Sequence, residues 1–208
     1  MASTSLTSTN AYSTVDSEAG SIDWSNVIDV NSVFQYSEVQ ITPSQVSDYA
    51  LASNLGFSIP GVATINGIVV SINRSAAIDQ SIKDYKAYLF NSGSTIGASR
   101  ATASFWSDSP TSVTYGSPTD KWDYSSLLSP SVVNSSTFGF GLSVQWGDVY
   151  PAGSATAYYE AGTEITVYYT INGIKLGSTS IVDLRVGNNQ ISRVYQGSSD
   201  LTTVIVIP

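Results

Sequence analysis

From Ile68 the chain alternates at a period of two. Ile68, Val70 and Ile72 fall on one side, and Val69, Ser71 and Asn73 on the other. This spacing predicts a strand with one face in a core. Upstream, Leu55 to Ile59 reads as another strand, and Pro60-Gly61 as the corner between them, since proline lacks an N–H for a ladder and glycine accepts positive φ. Val39 to Ile41 is strand-like. Ser81 to Phe90 predicts the next strand, with Tyr85, Ala87 and Leu89 on one face and Lys86, Tyr88 and Phe90 on the other. Asn91-Ser92-Gly93-Ser94 then forms a hairpin turn.

Ala101 to Trp106 predicts a further strand, and Val113 to Tyr115 a short one. Residues 116–124 read as a polar loop, followed by a helical turn that begins at Asp123 or Ser125 and ends at Pro130. Phe138 to Trp146 has the clearest alternation. Phe138, Phe140, Leu142, Val144 and Trp146 face a core, while Gly139 and Gly141 leave the other face open to a close backbone or a bulky ring. Tyr158-Tyr159 and Ile165 to Tyr169 predict a last hairpin, turned at Glu160-Ala161-Gly162. Trp24, among Val27, Ile28 and Val30, reads as a core plug at one end. About eight short strands with regular turns imply an all-β, antiparallel two-sheet sandwich over 21–170.

The ends differ from this middle. Residues 1–20 form a Ser/Thr-rich arm with too little apolar surface to fold alone, expected either as a tail or as an arm that orders against a neighbour. Residues 171–208 carry Ile174-Lys-Leu-Gly177, Leu184-Arg-Val-Gly187 and Val194-Tyr-Gln-Gly197 at a period of ten, which predicts strand–turn–strand units with glycine at each corner. Ile205-Val206-Ile207 is an apolar strand expected to pair.

Phe57-Ser58-Ile59-Pro60, Ala63-Thr64-Ile65 with Gly67-Ile68, Thr95-Ile96-Gly97, Trp106-Ser107, Tyr115-Gly116, Asp120 with Trp122, Phe138-Gly139-Phe140 and Thr166-Val167-Tyr168-Tyr169 stand in one order. In this the stretch from Ile22 to Thr170 resembles a β-sandwich module of tailed-bacteriophage virion proteins. In such modules a glycine usually follows the Asp-x-Trp element; here Asp123 stands in that place. The ten-residue repeats are similar to those ending phage fibre and surface proteins. The resemblance implies jelly-roll topology and a non-enzymatic structural role on the phage particle. It also implies synthesis in the host cytoplasm, capsid or tail proteins as partners, and a homo-oligomer, a trimer or hexamer by virion symmetry. Capsid decoration is preferred to a tail-fibre or baseplate role because no heptads or Gly-x-y runs supply a shaft.

Charge narrows the partners. The chain has 8 Lys and Arg against 16 Asp and Glu, a net charge of −8. No cation precedes Arg74, whereas Asp16, Glu18, Asp23, Asp29, Glu38 and Asp48 do. That distribution argues against nucleic acid and anionic membranes as partners, and suits either a solvated face or docking on a basic shell. Cysteine is absent, so no disulfide forms. No segment has the apolar length of a membrane span. The first residues lack the basic and apolar regions of a secretory signal.

Chemistry is narrowed further by the absence of histidine, which removes catalytic triads and His metal sites. No phosphate-binding glycine motif occurs, and no cofactor or metal is expected. Asp120 and Asp123 beside Trp122 and Tyr124 are the one acidic cluster near aromatics, a weak candidate for glycosidase or calcium chemistry. The stronger alternative to a structural role is a carbohydrate- or receptor-binding module for host attachment. Its platform would be Trp106, Tyr115, Trp122 and Tyr124, whose flat apolar faces suit pyranose rings, although packing of the sandwich end is the preferred reading of the two tryptophans.

Overall fold

The computed structural model describes residues 2–7, 13–14, 19–25, 36–160, 162–171, 175–176, 179–180, 194–196 and 199–201. The chain divides into two compact units, Met1–Thr170 and Ile171–Pro208. The strands of the first unit are β1 (Ala2–Thr7), β2 (Ser13–Thr14), β3 (Tyr36–Ile41), β4 (Ala50–Ser53), β5 (Ala63–Ala76), β6 (Ile82–Asn91), β7 (Ser94–Ile96), β8 (Thr111–Ser117), β9 (Gly139–Trp146), β10 (Ala155–Glu160) and β11 (Glu164–Ile171). One helical turn, α1 (Pro130–Val133), lies between β8 and β9.

The strands form two sheets, an all-β antiparallel sandwich. In the first, β5 pairs with β8, β10 and β11, and β3 and β1 lie outside β10 and β11. The second has the order β2-β4-β9-β6-β7. From β3 to β6, and again from β8 to β10, successive strands change sheet. The result sets β3-β10-β5-β8 against β4-β9-β6, the interleaved order of a jelly roll.

The core follows the sequence periodicity. Ile68, Val70 and Ile72 of β5 are buried, as are Phe140, Leu142, Val144 and Trp146 of β9 with the neighbouring Phe138. On the opposite face of β9, a Cβ on Gly141 would collide with the Phe90 ring, which packs edge-on against Tyr49 at 4.9 Å between centroids. Tyr49, Leu51 and Phe90 thus make a small second core on that sheet. Trp24 is buried and its indole donates to the Asp48 carbonyl at 2.9 Å. Ser92 and Gly93 have φ of 53° and 77° and join β6 to β7, a type I′ hairpin turn.

Five expectations are corrected. Residues 54–60 are not a strand; the Asn134 side chain takes the strand partner's place, accepting from Ile59 N and donating to Ile59 O, each at 2.8 Å. Residues 101–106 make only an isolated bridge, Lys83 to Phe105. A single turn does stand before Pro130, where Leu128 N donates to the Tyr124 carbonyl at 2.8 Å, but the helical segment α1 begins at Pro130, since a proline at the first helical position has no N–H to leave unpaired. β10 and β11 are not a hairpin, because each pairs with β5 rather than with the other. The arm is not wholly separate from the sandwich: β1 pairs antiparallel with β11 from Ala2 opposite Tyr169 to Thr7 opposite Glu164, and Leu6 packs on the core.

In the second unit, β12 (Lys175–Leu176) pairs with β13 (Thr179–Ser180), and β14 (Val194–Gln196) with β15 (Ser199–Leu201). Gly177-Ser178 and Gly197-Ser198, where the repeats place corners, lie outside the described residues. The middle repeat at 184–187, the apolar strand at 205–207, and Val27, Ile28 and Val30 lie outside the described residues.

Candidate functional site

The most concentrated chemistry in the sandwich begins at an irregularity in β6. Its register with β9 shifts between Asp84 and Lys86, so Tyr85 is an extra residue, a β-bulge. The bulge resets the alternation. Ile82 and Asp84 point inward, Tyr85 points out, and Ala87 and Leu89 point inward again. Tyr85 therefore does not share a face with Ala87 and Leu89, as simple counting implied. The Asp84 carbonyl accepts from the Gln145 side chain at 3.1 Å.

Arg74 reaches the same interior from the other sheet. It continues the inward series Ile68, Val70 and Ile72 at a period of two, and only 5% of its side chain is exposed. Its Nη1 donates to Asp84 Oδ1 and, at 2.8 Å, to the Tyr115 hydroxyl. Trp106 Nε1 donates to Asp84 Oδ1 at 2.9 Å. The other carboxylate oxygen accepts from the Tyr115 hydroxyl at 3.1 Å, from Thr102 N at 2.9 Å and from Thr102 Oγ1 at 3.0 Å. The guanidinium carbon lies 4.9 Å from the centre of the Trp106 ring. A buried ion pair needs such saturation, because its desolvation rivals its attraction. Burial, reinforced by the Asp84 charge, pushes the Tyr115 hydroxyl well above the usual tyrosine range.

A second constellation closes the end of the sandwich. Arg100 grips Asp120 through two bonds of 2.7 Å, Nε to Oδ2 and Nη2 to Oδ1, and reaches Asp123 Oδ2 at 3.3 Å. The Arg100 hydrogen bonds hold the Asp120 carboxyl below its ordinary range. Asp120 Oδ1 also accepts from Trp122 N at 2.8 Å, and its backbone carbonyl accepts from Ile68 N at 2.9 Å. Trp122 and Asp123 have φ of 55° and 57°. Asp123 is thus left-handed, a region that aspartate tolerates better than most residues. The chain's reversal at these residues drives the Trp122 indole inward, where it donates to the Ile68 carbonyl at 3.1 Å and meets Phe140 edge-on at 6.2 Å between centroids.

These positions decide what the expected sugar platform offers. Trp106, Tyr115 and Trp122 are 1%, 2% and 0% exposed, and their rings form the core. Tyr124 is half-buried and packs against the same core. Both carboxylates of the acidic cluster pair with Arg100. The large exposed aromatics among the described residues are Tyr85, Phe105 and Tyr150. Tyr150 sits on a pinned loop: its carbonyl accepts from Trp146 Nε1 at 3.0 Å, its hydroxyl donates to the Asp79 carbonyl at 3.2 Å, and Lys83 pairs with Asp148 at 2.9 Å.

Sequence reasoning missed Arg74 and Asp84. A signal was present for both: each charged residue stands in phase with buried apolar neighbours, Arg74 after Ile72 and Asp84 after Ile82. No protein-family profile matches the chain, and no curated protein matches it.

Proposed function

We propose that the protein is a non-enzymatic structural component of a tailed-bacteriophage virion, displayed on the particle surface as a homo-oligomer. Capsid decoration is preferred to a tail-fibre or baseplate role. The observation that carries this reading is the spatial convergence of the residues on which the resemblance rests. Gly97, Gly116, Asp120 and Phe140 surround the Trp122 plug, and Trp106 and Tyr115 join the adjoining Asp84 network. Their chemistry is spent inside the fold. Asp120 is fixed as a carboxylate by Arg100 rather than held as a proton donor, and Asp84 is saturated by donors. A rigid sandwich of this kind suits display and docking.

A second reading, a receptor- or carbohydrate-binding module, is favoured by the exposed Phe105 and Tyr150 rings rather than by the four residues of the 106–124 region. Immunogold electron microscopy on intact virions tests the main reading. Label over the head is expected. Label at the tail tip moves the role to fibre or baseplate. Absence of label from every particle overturns the virion reading and leaves glycan binding, to be sought at Tyr150.

A further inference from the structure

We infer that β8 is a self-association edge, at which two copies of this chain pair antiparallel and join their first sheets across a two-fold axis. The inference names the surface of the self-association proposed above and rests on that part of the reading.

The edges of the two sheets are built differently. The second sheet ends in β2, of two residues, and β7, of three, and such short edges offer little ladder to a neighbour. In the first sheet, β3 has a bridge on its outer side, where Ser25 and Glu38 exchange backbone hydrogen bonds of 2.8 and 2.9 Å, and it carries that glutamate. β1, at the other margin, is six uncharged residues of the N-terminal arm, whereas β8, one residue longer, belongs to the sandwich itself and has none of these protections. It is seven residues long, Thr-Ser-Val-Thr-Tyr-Gly-Ser, and pairs with β5 along its whole length. Among the described residues no strand pairs with its other side. No charge occurs from Ser109 to Thr119, and no proline occurs within the strand. Thr111, Ser112 and Thr114 are exposed.

The occupant follows from the same facts. In a chain of net charge −8, copies repel except where a neutral surface meets its like. An antiparallel strand set against itself about Val113 places Ser112 opposite Thr114 and Thr111 opposite Tyr115, with no charge in the ladder. Hydroxyl-bearing cross-strand pairs favour such a contact. A two-fold contact of this kind is isologous and closes on itself, giving a dimer or, combined with a three-fold axis, a hexamer.

The absence of cysteine makes the test direct. Light scattering on the full chain reads its mass, and Ser112→Cys and Thr114→Cys are each treated with a short bis-maleimide. In the proposed pairing each thiol lies roughly 7–8 Å from its copy. Val62→Cys, on another exposed turn, is the control. The expected result is a dimer or hexamer by mass, cross-linking of most of the chain at positions 112 and 114 but not at 62, and loss of that mass in Thr114→Lys, which sets like charges near each other without touching the core. An oligomer that cross-links no better at 112 and 114 than at 62 overturns β8 as the surface while self-association stands. A monomer at every concentration overturns both.

Discussion

Gly116 leaves the space that the Trp122 indole fills. A Cβ at Gly116 would lie 2.8 Å from Trp122 Nε1 and closer still to the Ile68 carbonyl that this indole bonds. Gly116 also has φ of 77°, so a side chain there is strained as well as obstructed. Gly116→Ala is expected to cost well over 1 kcal/mol in urea unfolding. The spectroscopic mark is a change in tryptophan emission as the Trp122 plug is displaced. Unchanged stability and emission would show that the plug is not what closes this end.

Position 123 gives a contrasting case. Asp123 is exposed and left-handed, and its one cationic contact is the 3.3 Å bond to Arg100. Asp123→Gly relieves the backbone and gives up a weak surface ion pair, so its unfolding free energy should stay within about 1 kcal/mol of the wild type. Asp123→Val retains neither advantage and should fall below Asp123→Gly in the same assay.

The Arg74–Asp84 pair should be strongly non-additive. Asp84→Asn leaves a guanidinium buried beside a neutral amide, and a loss of about 3–5 kcal/mol is expected. Arg74→Met leaves the Asp84 charge with its remaining donors. In the double variant no charge is stranded, so its loss should be smaller than the sum of the single losses by at least ~1 kcal/mol. A double-mutant cycle measured by chemical denaturation decides this, and simple addition would mean the two side chains do not act as a unit.

Stability should fall at both extremes of pH, for separate reasons. The Asp120 carboxyl is depressed in the folded chain, so its contribution is present above about pH 4, the unfolded value, and is lost as pH falls through the folded value. Tyr115 is raised, so the unfolded chain gives up this proton first. Its contribution is present below about pH 10 and is lost as pH climbs toward the folded value. Asp120→Asn should flatten the acid limb and Tyr115→Phe the alkaline limb of a stability–pH curve.

Deleting residues 2–7 uncovers the β11 edge and removes Leu6 from the core surface. The rest of the sandwich should keep its circular dichroism, while amides of residues 164–169 lose hydrogen-exchange protection. On the virion reading this truncation also weakens particle association. Protection retained along β11 would show that β1 contributes nothing to that edge.

Local pattern was enough for the all-β class, the inward faces of β5 and β9, the hairpin turn at Ser92-Gly93 and the close approach at Gly141. Each of these depends on alternation, positive φ or missing bulk within a few residues, so local chemistry is enough. It did not determine strand order, because any strand of suitable pattern pairs equally well with several others until the whole chain is closed. It also misread residues 55–59, where Phe57 and Ile59 are buried by packing and the Asn134 amide takes the place of a ladder, and residues 101–106, where Trp106 is buried but Ala103 to Phe105 are exposed. The bulge at Tyr85 lay beyond it too, since one inserted residue shifts every later side chain to the opposite face. Tertiary structure alone brought Asp84 to Arg74 across the two sheets, and it placed Trp106 and Trp122, together with Tyr115, in the core rather than on a binding surface. Aromatic residues in polar loops look alike in sequence whether they face solvent or fill the end of a sandwich; the difference lies in what the other sheet places opposite them.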